Sequence, residues 1–312
     1  MPATRSFLNV VEDAPDLVVA LTEASIDSAL LASLPRIPTT PKVMCFTEHD
    51  DAPGDPSSFV EHLYLVAQCE GNDPFDLPDR TPYNDPRIEL FNLANFSVAF
   101  RIGLGLPRGV HPRVLPEPVL QLNKGPDPFD ATFTIYCSQF TVIWNDPPRP
   151  TNGNQGYWHV WDQPYGEAWP MAVRVRFLHE TVVGMQGMNV QQVRVDLDTA
   201  DWVNQVRFGP VDSVIAGRVL KKNFLKAYAD LMRGFGKPVL KLKTFVPPGR
   251  GTVGPDGNDG FMRITDFTTR IAPYPARSDP ALGHDDCRAL ELLCAVNGRP
   301  LPPPPDQPFF WT

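Results

Sequence analysis

The stretch FSVAFRIGLGL, from Phe96 to Leu106, alternates large apolar side chains with small or polar ones at every second position. Successive side chains of a β-strand point to opposite faces of a sheet, so this period of two predicts a long strand with one apolar face. Further runs alternate in the same way, over 119–122, 132–144, 172–179, 193–198 and 239–245. Strands of a parallel sheet are covered on both faces and are apolar throughout, so the alternation favours an antiparallel sheet that is covered on one side.

The strongest helical pattern lies between Ser213 and Arg233. Its apolar residues recur at the spacing of one helix face, opposite Lys221 and Lys222, and Gly234 follows as a stop. This pattern predicts a long amphipathic helix whose apolar stripe packs on the sheet. The stripe consists of Ile215, Leu220, Phe224, Leu225, Tyr228, Leu231 and Met232.

Shorter elements are predicted in the first third of the chain. Between Asp16 and Leu34 the sequence predicts a strand, LVVAL, and then a helix that Thr22 caps. The segment 59–69 is predicted to be a strand, and the proline-rich segment 73–86 a loop.

Near the C-terminus, a glycine-rich turn is predicted to lead into a strand over 261–271. Asp286 is then predicted to cap a short helix that carries Leu290, Leu293 and Cys294.

Together these elements predict an α+β fold, in which a long, strongly curved antiparallel β-sheet is wrapped around a long amphipathic helix. Such a wrap leaves an apolar seam between sheet and helix. Neither an internal repeat nor a linker divides the sequence, so residues 1–312 are expected to form a single elongated domain. Residues 299–312 form a proline-rich C-terminal tail, whose last aromatic rings are expected to fold back onto the domain.

The composition is that of an acidic, folded globular chain. Of 312 residues, 42% are hydrophobic, and 36 acidic residues against 28 basic ones give a net charge of −8. This balance disfavours binding to nucleic acid or to an anionic membrane surface. No stretch approaches the length of an apolar membrane span, and no apolar run of signal-peptide length follows the first residues. We therefore expect a cytoplasmic protein without a transmembrane segment.

The five cysteines are an odd number without a CxxC pair or a zinc-ligand spacing, and they are expected to be reduced thiols with structural roles. The sequence also lacks the motifs of phosphate-binding loops, nucleophile elbows and zinc proteases. We therefore expect neither a metal nor a cofactor.

The segment GNQGYWHVWDQPYGEAWPM, from Gly153 to Met171, contains half of the six tryptophans. Aromatic rings bury a large area at a low cost in side-chain entropy, which suits a packed hairpin or a ligand wall. Alternation places Trp158 on one face of a strand, and His159 and Trp161 on the other. The segment is interpreted as a hairpin that joins two long strands, with rings that face a cavity, the core or another protein.

Three segments carry a resemblance to a known family. They are DLVVALTEASIDSALLASL (Asp16–Leu34), YWHVWDQPYGEAWPMAVRVRF (Tyr157–Phe177) and CRALELLCAVNGRPLPPP (Cys287–Pro304). Together they resemble the P47-like branch of the tubular lipid-binding (TULIP) superfamily, which is known from clostridial toxin gene clusters. The resemblance implies a strongly bent antiparallel sheet around a long helix, with lipid held in the seam between them.

Two kinds of polar cluster are candidates for chemistry. His159, Asp162 and Glu167 combine an imidazole with carboxylates and are the candidates for general acid–base catalysis. The tripeptide His-Asp-Asp occurs at 49–51 and at 284–286, where imidazole and carboxylates together can bind a metal. Both copies lie in loop-like sequence, and solvated turns or helix capping account for them.

Three functions are considered, of which the third, a toxin-associated role, is what the P47-like resemblance implies. The leading one is the binding of a hydrophobic small molecule or lipid in the apolar seam. The alternatives are a cofactor-independent cyclase, isomerase or pericyclase of microbial secondary metabolism acting on an apolar intermediate, and a partner-binding component of a toxin-associated complex. The residues predicted to contact the ligand are Trp158, Trp161, Tyr165, Trp169, Phe100, Phe224 and Tyr228.

Overall fold

The computed structural model has a mixed α+β fold, in which three antiparallel sheets combine with four α-helices in the part of the chain that it describes. The structure describes residues 15, 17–34, 40–49, 52–123, 130–148, 155–183, 189–203, 211, 214–234, 241–245, 264–273 and 288–296.

The elements are numbered in chain order. The helices are α1 (Glu23–Ser33), α2 (His62–Gln68), α3 (Pro86–Leu93) and α4 (Val214–Gly234). The strands are β1 (Leu17–Thr22), β2 (Lys42–His49), β3 (Ala52–Val60), β4 (Thr81–Pro82), β5 (Phe96–Leu104), β6 (Leu120–Leu122), β7 (Asp130–Ile135), β8 (Cys137–Asp146), β9 (Tyr157–Asp162), β10 (Met171–Val183), β11 (Asn189–Trp202), β12 (Lys241–Phe245), β13 (Ile264–Pro273) and β14 (Arg288–Val296).

The strands form two large sheets and a small one. The six-stranded sheet has the order β3-β2-β5-β8-β9-β4, and the five-stranded sheet has the order β12-β11-β10-β7-β6. The small sheet has the order β1-β14-β13. Neighbouring strands pair antiparallel in all three sheets, so the predicted antiparallel architecture is confirmed.

Several predicted elements are confirmed. Thr22 caps α1, because its side-chain oxygen accepts a hydrogen bond from the backbone N–H of Ser25 at 3.3 Å. The long helix begins and ends within a residue of the predicted bounds. The alternating runs at 119–122, 172–179, 193–198 and 239–245 contribute to β6, β10, β11 and β12. None of the described helices is both long enough and apolar enough to cross a membrane.

Helix α4 packs against strands of both large sheets. It contacts β2, β3 and β5 of the six-stranded sheet and β11 of the five-stranded sheet. Its side chains Leu220, Phe224 and Tyr228 are buried in a main core to which both sheets contribute. The helix therefore fills the space between the two sheets, with its apolar stripe directed as the sequence predicts.

A second core lies on the other face of the six-stranded sheet, beneath α2 and α3. It includes Leu65, Cys69, Phe91 and Trp158, all of them fully buried. Strand β5 is consequently covered on both faces, whereas its alternation predicts a single apolar face. Its second face carries small residues such as Ala99, and small side chains allow helices to pack closely on a sheet.

A β-bulge near the start of β5 divides its apolar residues between the two cores. Phe96 pairs with Thr47 and Val98 pairs with Phe46, so a two-residue step on β5 opposes a one-residue step on β2. Phe96 therefore faces the second core while Val98 faces the main core, although the two share one parity in the sequence.

The strand predicted over 59–69 is wrong for most of its length, since residues from His62 onward form α2. Leu65 and Cys69 are buried and lie four positions apart, which is the spacing of one helix face. Leu63 and Tyr64 directly precede Leu65 in the same apolar run but are exposed. A short apolar run does not separate a strand from a helix, and here the helix period decides burial.

The short helix predicted after Asp286 is also wrong, and Asp286 itself lies outside the described residues. Residues Arg288–Val296 form β14, the middle strand of the small sheet. Leu290, Leu293 and Cys294 are all buried. A strand that is covered on both faces carries apolar residues at most positions. Some of these residues are then three or four positions apart by coincidence, which is also the spacing of one helix face.

The run over 132–144, which the sequence predicts as one strand, forms two strands in different sheets. Tyr136 is the single residue between β7 and β8. Ile135, Tyr136 and Cys137 are all buried in the main core, so the alternation is interrupted there. The chain turns at this point from the five-stranded sheet into the six-stranded sheet.

Two carboxylates on α1 bond to the edge of the five-stranded sheet. Asp27 Oδ1 accepts from the backbone N–H of Val119 at 2.6 Å, and Glu23 Oε2 accepts from that of Leu122 at 2.8 Å. Strand β6 is the last strand on this side of the sheet, so these donors have no neighbouring strand to bond. The carboxylates of α1 take the place of that strand.

We expect Asp27→Ala to lower the free energy of unfolding by about 1–3 kcal/mol, because it leaves the buried N–H of Val119 without an acceptor. Urea denaturation measures the change. Glu61→Ala is the matched control, since Glu61 is exposed and its side chain makes no capping hydrogen bond at α2. Equal losses in the two variants would contradict the edge-bonding role of Asp27.

Candidate functional site

Aromatic rings from both large sheets converge on Phe224 of α4. Its ring centroid lies 6.2 Å from that of Phe100 on β5 and 5.7 Å from that of Phe140 on β8. Trp202 on β11 lies 6.0 Å away, and Tyr228, one helical turn later, is stacked at 6.4 Å. Phe224 is thus enclosed by rings on several sides and is completely buried.

Two tryptophans extend this group of rings toward the surface. Trp161 and Trp169 are stacked with their centroids 3.9 Å apart, and both are half-buried. Their centroids lie 6.2 Å and 6.3 Å from that of Phe140. We call the connected rings of Phe100, Phe140, Trp161, Trp169, Phe224 and Tyr228 the aromatic seam. The structure therefore brings together most of the residues that the sequence predicts at the ligand.

The hydroxyl of Tyr228 is buried in this seam without a hydrogen-bond partner among the described residues. Burial raises the pKa of Tyr228 far above its ordinary value, so the hydroxyl stays protonated. Tyr136, also buried in the main core, is different. Its hydroxyl donates to the carbonyl oxygen of Glu117 at 2.7 Å and accepts from the N–H of Glu117 at 3.1 Å.

Trp158 and Tyr165 lie apart from the aromatic seam. Trp158 is completely buried in the second core, stacked on Phe96 at a centroid distance of 5.0 Å and tilted against Phe91 at 5.9 Å. Tyr165 is 82% exposed in the loop that follows β9. The predicted alternation of Trp158 and Trp161 between two faces is confirmed.

The aromatic segment is not a hairpin between two long strands. Strand β9 pairs with β8 in the six-stranded sheet, whereas β10 pairs with β7 and β11 in the five-stranded sheet. Residues 163–170 therefore cross from one sheet to the other. The prolines and the glycine of this segment, which suggest a tight turn, lie instead in the connection between the two sheets.

The candidate catalytic residues take separate partners. His159 Nδ1 lies 3.4 Å from Asp79 Oδ1, and the hydroxyl of Thr141 donates to the carboxylate of Asp162. Glu167 is exposed. Among the described residues, no hydrogen bond or ion pair joins any two of His159, Asp162 and Glu167.

The two His-Asp-Asp tripeptides fall largely outside the described residues. His49 ends β2, while residues 50–51 and 284–286 are not described. The described ranges contain no group of three or more histidine, cysteine or acidic side chains that could hold a metal ion.

The described cysteines are free thiols and buried, whereas Cys287 lies outside the described ranges. Burial raises the pKa of Cys45 and that of Cys137 to about 12. These thiols therefore stay protonated at neutral pH, and a protonated thiol is a poor nucleophile.

A cleft of about 290 Å³ opens next to Asp162 on the six-stranded sheet. It is lined by Arg101, Arg108, Ser138, Gln139, Phe140, Asp162, Gln163, Pro164 and Tyr165. Two of these residues, Asp162 and Tyr165, belong to the sequence-predicted set.

Strand pairing places three polar side chains of this region in one row. Arg101 of β5 is opposite Thr141 of β8, and Thr141 is opposite Asp162 of β9. Arg101 Nη2 donates to Thr141 Oγ1 at 3.4 Å, and the Thr141 hydroxyl donates in turn to Asp162. The row thereby fixes a guanidinium and a carboxylate at the cleft.

A second bulge, in β8, directs two adjacent side chains into the cleft. Gln139 pairs with Gly103, and the next pair along the strands skips Ser138. Ser138 and Gln139 both line the cleft, while Cys137 returns to the main core. A Cβ atom at Gly103 would lie 2.7 Å from Ser138 Oγ, so glycine leaves room for that hydroxyl.

The outer side of the cleft consists of two connected loops. The N–H of Gly166 donates to the carbonyl oxygen of Arg108 at 2.8 Å. Gly109 has a φ of +80°, and a Cβ atom there would lie 2.5 Å from the ring of Tyr165. The ring of Tyr165 therefore packs on a bare backbone, which holds it beside Arg108.

Sequence reasoning finds Asp162 and Tyr165 but misses the two arginines. Arg101 is recognisable only as a polar position in an alternating strand, and Arg108 is a loop residue. Their proximity depends on the pairing of β5 with β8 and on the loop contact at Gly166, and no local motif encodes either.

No family model matches this chain, and a search of curated proteins finds no match either. The resemblance to the TULIP superfamily therefore stays a prediction, and function is inferred from the aromatic seam and the cleft.

We expect Trp158→Ala to lower the free energy of unfolding by about 3–5 kcal/mol, because it removes a completely buried ring from the second core. Tyr165→Ala should change it by no more than about 0.5 kcal/mol, since that ring is exposed. Urea denaturation of both variants checks the assignment. A small effect of Trp158→Ala would show that its ring is not needed for the core.

Proposed function

We propose that this protein binds a hydrophobic small molecule or lipid in the aromatic seam, between α4 and the sheets. The observation that carries the proposal is the Tyr228 hydroxyl, which is buried among aromatic rings and has no partner among the described residues. An oxygen atom of the bound molecule accepts the hydrogen bond that this hydroxyl donates.

The energetic argument rests on the cost of an unpaired buried hydroxyl. Leaving such a group without a partner costs about 1–3 kcal/mol, and phenylalanine would fill nearly the same volume without that cost. A ligand with a carbonyl, ether or hydroxyl oxygen beside Tyr228 removes the cost. The surrounding rings of Phe100 and Phe224 suit an apolar body.

The stacked pair of Trp161 and Trp169 supports a route into the seam. Both rings are half-buried, and both contact Phe140, which in turn contacts Phe224. Rings therefore continue from the surface to the interior of the main core. A molecule that enters along them stays in contact with aromatic side chains throughout.

The position of α4 is in keeping with this function. In the TULIP-like arrangement that the sequence resembles, a curved sheet wraps around a long helix and lipid occupies the seam between them. The contacts of α4 with strands of both large sheets support an equivalent location for the ligand here. The catalytic alternative is not proposed, because the described contacts of His159, Asp162 and Glu167 do not form one site.

Purified protein is expected to retain a small apolar molecule, which native mass spectrometry detects as a bound mass and organic extraction releases for identification. Tyr228→Phe should reduce the retained fraction at least about fivefold, the effect of roughly 1 kcal/mol for one lost hydrogen bond. It should leave the ligand-free protein as stable as before, or more stable, because no partner is lost with the hydroxyl.

Tyr136→Phe is the matched control, because it removes a buried hydroxyl that has partners. It should lower the free energy of unfolding by about 1–3 kcal/mol and leave ligand retention unchanged. The neutral dye Nile red serves as the probe if nothing is retained on purification. Failure of Nile red to bind saturably, or equal ligand binding by wild type and Tyr228→Phe, would overturn the proposal.

A further inference from the structure

The arginines of the cleft have neutral partners. Among the described residues, neither Arg101 nor Arg108 lies within ion-pair distance of a carboxylate, although the chain has an excess of acidic residues and a net charge of −8. Arg101 donates to Thr141, and Arg108 donates to Gln139. Two guanidinium groups without carboxylate partners that line one cavity are typical of a site for an anion.

Arg101 is held in place by contacts that leave its charge uncompensated. Its guanidinium carbon lies 4.9 Å from the ring centroid of Phe75, within the range of a cation–π contact. With the amide of Gln139 turned so that its oxygen faces Arg101, that oxygen accepts from both Nε and Nη2 at 3.2 Å. With the opposite orientation, the same oxygen accepts from Arg108 Nη2 at 3.3 Å.

Gln139 therefore occupies the position of an oxygen acceptor between the two arginines. One amide oxygen satisfies only one guanidinium at a time, since the two hydrogen-bonding patterns need opposite orientations. Donors of the other arginine are then free for a second acceptor. A carboxylate has two oxygens and meets the fork of a guanidinium directly.

The charge of the cleft suits a monoanion. Arg101 and Arg108 contribute two positive charges, and Asp162 contributes one negative charge, which leaves a surplus of one. Asp162 is exposed and lines the cleft, and one of its oxygens accepts a hydrogen bond from Thr141. Its charge repels a phosphate dianion, whereas a carboxylate with a single charge matches the surplus.

The size of the cleft and the ring of Tyr165 indicate what is attached to the carboxylate of the ligand. A volume of about 290 Å³ is at the lower end for ligand pockets, so the molecule is small. The exposed ring of Tyr165, packed on Gly109, offers a flat apolar surface next to Arg108. A ring or short apolar chain attached to the carboxylate fits this surface.

We propose that the cleft is a binding site for a small organic acid, whose carboxylate pairs with Arg101 and Arg108 and whose apolar body lies against Tyr165. The site is distinct from the aromatic seam, although Phe140 of the seam also lines the cleft. Arg101, Thr141 and Gln139 alternate along β5 and β8 with residues that face the main core, so the cleft opens on the opposite face of the six-stranded sheet.

Isothermal titration of the full chain with sodium benzoate tests the site, with neutral benzamide and inorganic phosphate as comparison ligands. Benzoate should bind at one site with a Kd of roughly 1 mM or tighter, and benzamide should not saturate. Arg108→Gln and Arg101→Gln should each weaken benzoate about tenfold or more. Asp162→Asn should strengthen benzoate binding, because it removes the negative charge of the cleft.

Arg113→Gln is the matched control for charge, since Arg113 is exposed and does not line the cleft. It should leave the Kd for benzoate unchanged. Because Arg108 is exposed, Arg108→Gln should fold even if Arg101→Gln does not. Unfolding midpoints show whether each variant is folded. The proposal is overturned by unsaturable benzoate binding, by equal binding of benzamide, by tighter binding of phosphate, or by an unchanged Kd in Arg108→Gln.

Discussion

The packing of Phe224 between rings from both large sheets is the contact on which the rest of the structure depends. Phe100 and Phe140 reach it from the six-stranded sheet, and Trp202 reaches it from the five-stranded sheet. A buried phenylalanine contributes about 1.5–3 kcal/mol by its removal from water, and aromatic pairs add to this. One side chain of α4 therefore links the layers whose shared interior is the main core.

The two faces of the six-stranded sheet have different environments. Each of the strands β5 and β8 contributes side chains to both faces. On β5, Phe100 faces the aromatic seam and its neighbour Arg101 faces the cleft; on β8, Phe140 faces the seam and Thr141 the polar row. The period of two in a strand thus divides one short sequence between an apolar interior and a charged surface site. The bulges in β5 and β8 interrupt the alternation, and they change which face of the sheet Phe96 and Ser138 lie on.

The sequence predicts elements well where burial is one-sided and a cap or stop is present, as with Thr22 before α1 and the stripe of α4. It fails where both faces are covered, because Leu290, Leu293 and Cys294 on β14 then carry no period that distinguishes strand from helix. Asp162 and Tyr165 of the cleft were found among aromatic neighbours. Arg101 and Arg108 were not, because only strand register and loop contacts bring them together.

Tyr136 is the shortest covalent connection between the two large sheets, a single residue between the end of β7 and the start of β8. Its hydroxyl is tied at two points to the backbone of Glu117. The chain therefore changes sheets within the backbone dihedrals of one anchored residue. A change of the chain direction at this connection would have to break the two hydrogen bonds to Glu117.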